Sequence, residues 1–419
     1  MVISFKSDMA HRPHTVRREV GMFSREQLEQ LQSPCFIFDE KELRSNFTDF
    51  TAALREKWSR NAYVGYSVKT NPFPWVLEIA RDCGCYAEVV SDDEYHLALR
   101  CGFSPNTIIF NGPVKGREWF DFAIKRGSVV NIDSSRELRW VREIAGEGID
   151  PINVGVRVNI DLEKYCPGQT IGGDEPGRFG FSYEDGEAGR VIAELKSISN
   201  VNIAGLHMHV TTYGRLPRVY EVLSSFAAKI IEEYDIRSTL RYVDMGGGYY
   251  GGGIQNAGRY EEYANIIAKT LSPVCDASKV TLFVEPGGAV VCTPGYYLGR
   301  VVDAKDVRGQ RFVVTELSRL NIDHEMKKTA YAHVLYTSKT NSIDSQILCG
   351  FTCMESDRLC ELTDEAELLE GDLILIKYAG AYSMSFTPGF FIEHAPAVYS
   401  YDSGEFAIRR ELFSEVPER

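Results

Sequence analysis

No C-x-x-C pair occurs among the ten cysteines of this chain. Cys35, Cys83, Cys85, Cys101, Cys166, Cys275, Cys292, Cys349, Cys353 and Cys360 are scattered. That spacing argues against a structural zinc site, and no other metal site is expected. No run of about 18 apolar residues is present, so no membrane-spanning helix is expected. The opening MVISFKSDMAHRPHTVRREV lacks the apolar core of a secretion signal. Reduced thiols and a cytoplasmic location follow as the expectation. Positive charge is also in short supply: 46 Lys and Arg against 59 Asp and Glu leave a net charge of -13. A broad nucleic-acid surface is therefore not expected. The 419 residues, 44% hydrophobic and 25% charged, read as globular material with enough chain to bury a large core.

The chain does have a rhythm. Eight short β-branched or apolar runs recur: AYVGYSV (62–68), CYAEVV (85–90), TIIF (107–110), SVVNI (128–132), INVGVRV (152–158), NIAGLHMHV (202–210), LRYVDM (240–245) and VTLFVE (280–285). Between them lie amphipathic stretches such as PWVLEIARDCG, SDDEYHLALRCG and LPRVYEVLSSFAAKIIEEY. Alternation of this kind predicts parallel βαβ units, and eight of them fit an α/β fold of the (β/α)8 TIM-barrel type. An open doubly wound sheet is the alternative. After about residue 290 the helical period fades and strand-like runs follow, so a mainly β domain is expected there. The boundaries are an N-terminal segment 1–40, whose SPCFIFDE strand joins the β domain, a barrel at 41–288 and the β domain at 289–419.

In such a barrel the reactive groups sit at the C-terminal ends of strands. Lys69 follows the first run, and Glu88 and Ser91 close the second. Asn111, Asp133 and Arg157 end or follow the next three. His207 and His209 close the sixth, Gly246, Gly247 and Gly248 follow the seventh, and Glu285 closes the eighth. A glycine run after a strand exposes backbone N–H groups that suit an anion. Arg157 in an apolar strand calls for an ion pair inside the barrel mouth. Glu285 reads either as that partner or as a strand-end charge. Asp133 reads equally well as an N-cap for SSRELRWVREI. Lys69 is either a solvated strand-end charge or a reactive amine.

Taken in order, YSVKTN, LHMHV, GGG, EPGG, CMESD and GAY resemble the pyridoxal-phosphate decarboxylases of the ornithine/diaminopimelate type, which share the alanine-racemase-like fold (fold type III). The likeness runs from about residue 33 to 400, and TIIFNGPVKGREW and GRFGF fit it too. The resemblance implies pyridoxal 5'-phosphate as cofactor, carried by Lys69 as a Schiff base. It implies that His209 stacks on the pyridine ring and that Glu285 pairs with the ring nitrogen. Gly246, Gly247 and Gly248 would hold the phosphate with Thr212 and Tyr382, and Glu88 and Arg157 would support the cofactor. Cys353 would come from the partner subunit and protonate Cα, which implies a head-to-tail homodimer with shared active sites. The implied reaction is amino-acid decarboxylation.

Four positions depart from the resembled pattern. Gly288 stands where an arginine is usual after EPG. Thr211–Thr212 replaces glycine–serine, and GFFIEHAP lacks the usual asparagine. Met354 replaces the acid that follows the catalytic cysteine in enzymes reading a distal ammonium. A thioether cannot pair with that group, so free ornithine, lysine or diaminopimelate is expected only if Glu355 takes over. The preferred expectation is a larger, conjugated or less cationic amino acid of a specialised, siderophore-type pathway. Arg319, Lys327 and Lys328 would then meet a substrate carboxylate. An amino-acid racemase on the same fold and a catalytically inactive binding homologue are the alternatives.

Overall fold

The computed structural model describes residues 22–148, 151–253, 259–323, 326–384 and 395–412. Residues 1–21 of the N-terminal segment and the GFFIEH stretch (389–394) lie outside the described residues.

Strand β1 (Cys35–Asp39) precedes the barrel and belongs to the second sheet. The chain then runs through β2 (Ala62–Ser67), β3 (Tyr86–Ser91), β4 (Ile108–Val114), β5 (Val129–Ile132), β6 (Ile152–Asn159), the two-residue β7 (Phe181–Ser182), β8 (Val201–Met208), β9 (Tyr242–Asp244) and β10 (Thr281–Val284). All pairings among them are parallel. β10 pairs with β2, and β5 with β6, so the sheet closes on itself and the open doubly wound alternative is excluded. β7 hangs on the end of β6, outside the ring of eight.

Helices form where the sequence carries a helical stripe. In Pro74–Asp82, Val76, Leu77, Ile79 and Ala80 are buried against the barrel. Proline at the first turn starts both this helix and Pro217–Glu233, where its missing N–H costs nothing. Ser91 caps Asp92–Arg100 by accepting from the Glu94 amide. Inside the barrel, Tyr242 packs with Ile109, Ala204 and Phe283. Gly205 makes room for it: a Cβ there would lie 2.1 Å from the Tyr242 ring.

The second sheet comprises β1, β11 (Gly295–Val307), β12 (Gln310–Thr315), β13 (His333–Tyr336), β14 (Ser342–Cys349), β15 (Arg358–Ala366), β16 (Leu373–Lys377), β17 (Ala397–Asp402) and β18 (Glu405–Arg410). β1 lies between β11 and β17, with Cys35 opposite Leu298 and Ala397. The two domains are stitched beside the first barrel loop. Asn71 Nδ2 donates to the Gly380 carbonyl at 2.9 Å, and the Tyr382 amide donates to the Thr70 carbonyl at 2.8 Å. These bonds bring the GAY stretch of the β domain onto the VKTN stretch of the barrel.

Candidate active site

The C-terminal ends of the barrel strands surround a cavity of about 430 Å³. Lys69, Glu88, Arg157, His209, Thr212, Gly247, Gly248, Glu285 and Tyr382 all line it. Gly246 sits immediately behind, in the turn after β9.

Lys69 occupies the single 3-10 turn that follows β2 (Val68–Thr70). Its Nζ lies 3.1 Å from Glu88 Oε2. Burial works against the charge, but Glu88 and then Glu285 outweigh it, so the ammonium pKa is raised. The side chain is 43% accessible only because the cavity opens onto it. Lys69 is therefore neither a plain surface charge nor a neutral buried amine; it is a charged amine held inside a cavity by a buried carboxylate.

That carboxylate is itself fixed. Ser67 Oγ donates to Glu88 Oε2 at 2.7 Å, and Asn111 Nδ2 donates to Glu88 Oε1 at 3.1 Å. The same Asn111 amide donates to Glu285 Oε1 at 2.6 Å. Behind it, Asn131 Nδ2 donates to Asn111 Oδ1 at 2.9 Å, and the Tyr242 hydroxyl donates to Asn131 Oδ1 at 2.8 Å. One polar chain thus runs from the barrel interior to both carboxylates.

Glu285 also faces His207 Nε2 at 3.4 Å. Ligand atoms of His207, Asp244 and Glu285 all lie within 4.8 Å of one another. Two buried carboxyls this close cannot both be ionised. Burial and the Glu285 charge push Asp244 well up. Burial also opposes ionisation of Glu285, but His207 and the hydrogen bond with Asp244 outweigh it and hold Glu285 below the ordinary range. The pair's proton therefore resides on Asp244, and Glu285 presents a carboxylate to the cavity.

His209 lies one residue past β8, its ring parallel to His207 within 5°. Burial, then the charges of Arg157 and His207, hold its pKa down at about 3, so the imidazole is neutral at pH 7. Its Nδ1 accepts from the Gly247 amide at 3.1 Å. Gly246 adopts φ +63°, and a Cβ there would lie 2.5 Å from His209 Cβ. A Cβ at Gly247 would lie 2.6 Å from the Glu285 carbonyl. The loop can carry only glycine where it passes between His209 and Glu285.

Arg157 finds its ion pair in Asp133, Nη1 to Oδ1 at 3.1 Å, not in Glu285. Asp133 also accepts from the Gly180 amide at 3.1 Å. The N-cap of Ser135–Gly146 is Ser134, which corrects the capping alternative for Asp133. The Asp133 carboxylate points across the barrel mouth because the arginine there competes for it.

The β-domain residues lie elsewhere. Cys353 is the one exposed thiol among the ten cysteines, and it does not line the cavity of its own chain. Met354 is half-buried, and exposed Glu355 pairs with Arg358 at 2.8 Å. Arg319, expected to meet a substrate carboxylate, is buried and pairs with Asp323 at 2.7 Å. Its Nη2 donates to the Lys328 carbonyl as well. Two alternating charges at i and i+4 on one helical turn satisfy each other, so the head group is already committed. Sequence reasoning passed over Ser67, Asn131, Tyr242 and Asp244, and also two guanidiniums that line the cavity, Arg178 and Arg215. A polar residue inside a short apolar strand, such as Asn131 in SVVNI, was the available signal.

The residues fit pyridoxal phosphate. The cavity offers an amine, a flat neutral imidazole, a buried carboxylate held ionised and a glycine loop without side chains, all on one wall. Residues 40–292 match the family described as pyridoxal-dependent decarboxylase, pyridoxal binding domain. A diaminopimelate decarboxylase of Bacteroides thetaiotaomicron is 26% identical over 385 residues, 91% of this chain and 99% of that protein. One from Methanocaldococcus jannaschii is 25% identical over 403 residues, 93% of this chain and 91% of that protein. Among solved structures, the M. jannaschii diaminopimelate decarboxylase in complex with L-lysine superposes with a TM-score of 0.79 at 24% identity, over 92% of this chain and 91% of that chain. The arginine decarboxylase of Paramecium bursaria Chlorella virus gives 0.74 at 19% identity, over 89% and 97%. These two structures share the fold, and their different substrates show that the fold does not name one. The matched span takes in Lys69, His209, the glycine loop and Glu285, and the chain belongs to the pyridoxal-dependent decarboxylases, with pyridoxal 5'-phosphate as its cofactor.

Proposed function

We propose that the enzyme decarboxylates a diamino acid whose far end is anionic, either a second carboxylate or a conjugated acid, and does so as a head-to-tail homodimer. The observation that carries this is the charge balance of the cavity. Its carboxylates are engaged: Glu88 with Lys69, and Glu285 with Asn111 and His207. Arg178, by contrast, stacks on Phe179 with its guanidinium carbon 4.1 Å from the ring centroid, and pairs with no carboxylate among the described residues. Such a wall reads an anion rather than a free ammonium, in keeping with Met354 after Cys353.

When bound, the cofactor supplies an electron sink for the pair left at Cα as carbon dioxide departs. Lys69 Nζ would hold the cofactor through its amine. Glu88 orients Lys69 and, through Asn111, shares its placement with Glu285. Glu285, held as a carboxylate, would pair with the ring nitrogen and favour its protonated form. Neutral His209 offers a flat face without adding positive charge. Cys353 of the second subunit gives Cα its proton, a role supported by its exposure outside the cavity of its own chain.

The test is carbon dioxide release by the purified holoenzyme from diaminopimelate, ornithine, lysine and citryl- or acyl-conjugated diamino acids. Substrates with an anionic far end should exceed ornithine and lysine by about tenfold or more in kcat/KM, the value of one modest charge contact. Arg178→Ala should narrow that gap. Faster turnover of plain ornithine or lysine would overturn the substrate reading. Loss of the α-proton with no carbon dioxide would favour a racemase.

A further inference from the structure

Arg215 projects over position 288, where the resembled pattern carries an arginine and this chain carries glycine. Its Nη1 lies 3.9 Å from where a Cβ on Gly288 would stand. The placement is built rather than incidental. Arg215 holds φ +47°, a left-handed conformation unusual for a residue with a side chain. Its carbonyl accepts from the Tyr263 hydroxyl at 2.6 Å, and that hydroxyl also receives the Tyr250 amide at 3.3 Å. The Tyr250 ring in turn carries the Arg215 guanidinium, whose carbon lies 5.0 Å from the ring centroid. One tyrosine thus fixes both the backbone that bears the arginine and the ring it stacks on.

The guanidinium is half-buried, and no carboxylate pairs with it among the described residues. The other cations of the cavity stand apart from it in the fold. Lys69 is paired with Glu88, and Arg157 with Asp133. Arg157 and Arg178 both pack on Phe179, in the segment that follows β6. Arg215 belongs to the loop after β8. The glycine loop follows β9, and Gly287–Gly288 follows β10. These three strands are consecutive in the barrel, so their ends form one continuous wall.

We infer that Arg215 supplies the side-chain cation for the cofactor's phosphate, in place of the arginine missing at position 288. The glycine loop provides backbone N–H groups but no charge, and a doubly charged phosphate between two glycine turns needs a counter-ion. Glycine at 288 leaves open the space that Arg215 enters from the neighbouring loop. Charge has been kept while its position in the sequence has moved.

The test uses binding and not turnover, so it is independent of the substrate. Apoenzyme is titrated with pyridoxal 5'-phosphate and with pyridoxal, following the imine absorbance. Arg215→Ala should raise the Kd for the phosphorylated cofactor by about tenfold to a hundredfold, the range of one charge-assisted contact, and leave that for pyridoxal unchanged. Gly288→Arg in the Arg215→Ala background should recover most of the loss. An unchanged Kd for pyridoxal phosphate would overturn the inference, and with a raised KM it would assign Arg215 to the substrate. Equal weakening for both ligands would also overturn it, by showing a purely structural role.

Discussion

Asn111 and Glu285, 174 residues apart in sequence, meet at 2.6 Å at the mouth of the barrel. The other proton of the same amide group serves Glu88 at 3.1 Å. One neutral side chain therefore sets the spacing between the carboxylate that holds Lys69 and the second, ionised carboxylate that faces the cavity. Removing it leaves both acids short of a donor in a buried site. Hydrogen bonds to charged groups are worth about 1.5–3 kcal/mol each. Asn111→Ala should cost about 3 kcal/mol in denaturant unfolding of the apoenzyme and lower kcat. Asn111→Asp should be worse, since it adds a third carboxylate. An Asn111→Ala protein of unchanged stability would show that water satisfies both acids.

The neutral state of His209 has a consequence in acid. Its folded pKa, about 3, lies below the unfolded value near 6.5. Between those values the unfolded chain binds the extra proton, so stability rises with pH and is lost as pH falls through the window. Glu94 has the opposite sign: burial pushes its carboxyl up to about 7, and it contributes stability below about pH 4.5 that is lost as pH rises. The two oppose each other between about pH 4.5 and 6.5. A difference profile isolates His209. The stability of the wild-type apoenzyme minus that of His209→Gln should fall as pH drops below 6.5, by up to about 1.4 kcal/mol per pH unit. A flat difference would place a charged imidazole in the folded site.

The eight barrel strands were legible because each is a short apolar run between amphipathic helices, and closure supplied the rest. In the second sheet, β15 and β18 each pair on one side only, as does β13. RLCELTDEA and EFAIRR carry charge along their length and read as loop for the reason edge strands generally do: charge there discourages pairing with another chain. At the site, Lys69, Glu88, His209 and Glu285 stood out as strand-end polar groups. Asn131, Tyr242 and Asp244 did not, because they work from inside the barrel, where an isolated polar residue in an apolar run looks like noise. Arg215 was hidden for another reason: nothing in sequence ties a loop after β8 to a glycine after β10.

Exposure of Cys353, with Lys69 inside a cavity that Cys353 does not reach, predicts complementation between defective subunits. Lys69→Ala should abolish the imine absorbance and the activity. Cys353→Ala should keep the absorbance and lower turnover by about 10²–10⁴, the usual worth of a positioned proton donor. Alone, Lys69→Ala should be inactive and Cys353→Ala should keep at most about a hundredth of wild-type turnover. Mixed and reassembled in equal amounts, half the dimers are heterodimers with one intact site, and about one quarter of wild-type activity should return. No recovery in verified heterodimers would place both groups in one chain's site.

The acids that follow Cys353 behave differently, and the difference bears on how the thiol is held. Glu355 is exposed and pairs with Arg358, an ion pair worth little. Asp357 is buried. Its Oδ2 accepts from Thr352 Oγ1 at 2.7 Å and Ser318 Oγ at 3.0 Å, and its Oδ1 accepts from the Arg319 amide at 2.9 Å. Residues 352 and 357 bracket Cys353, so this carboxylate closes the loop on both sides and ties it to the helical turn Arg319–Ile322. Asp357→Ala leaves two buried donors and the half-buried Thr352 hydroxyl without an acceptor and should cost about 3–5 kcal/mol. Because the cofactor wall belongs to the barrel, affinity for pyridoxal phosphate should stay within about twofold of wild type while kcat falls. Glu355→Ala should change stability by less than about 0.5 kcal/mol. If Asp357→Ala instead lost cofactor affinity and kept kcat, the loop would serve the fold of the barrel mouth and not the placement of Cys353.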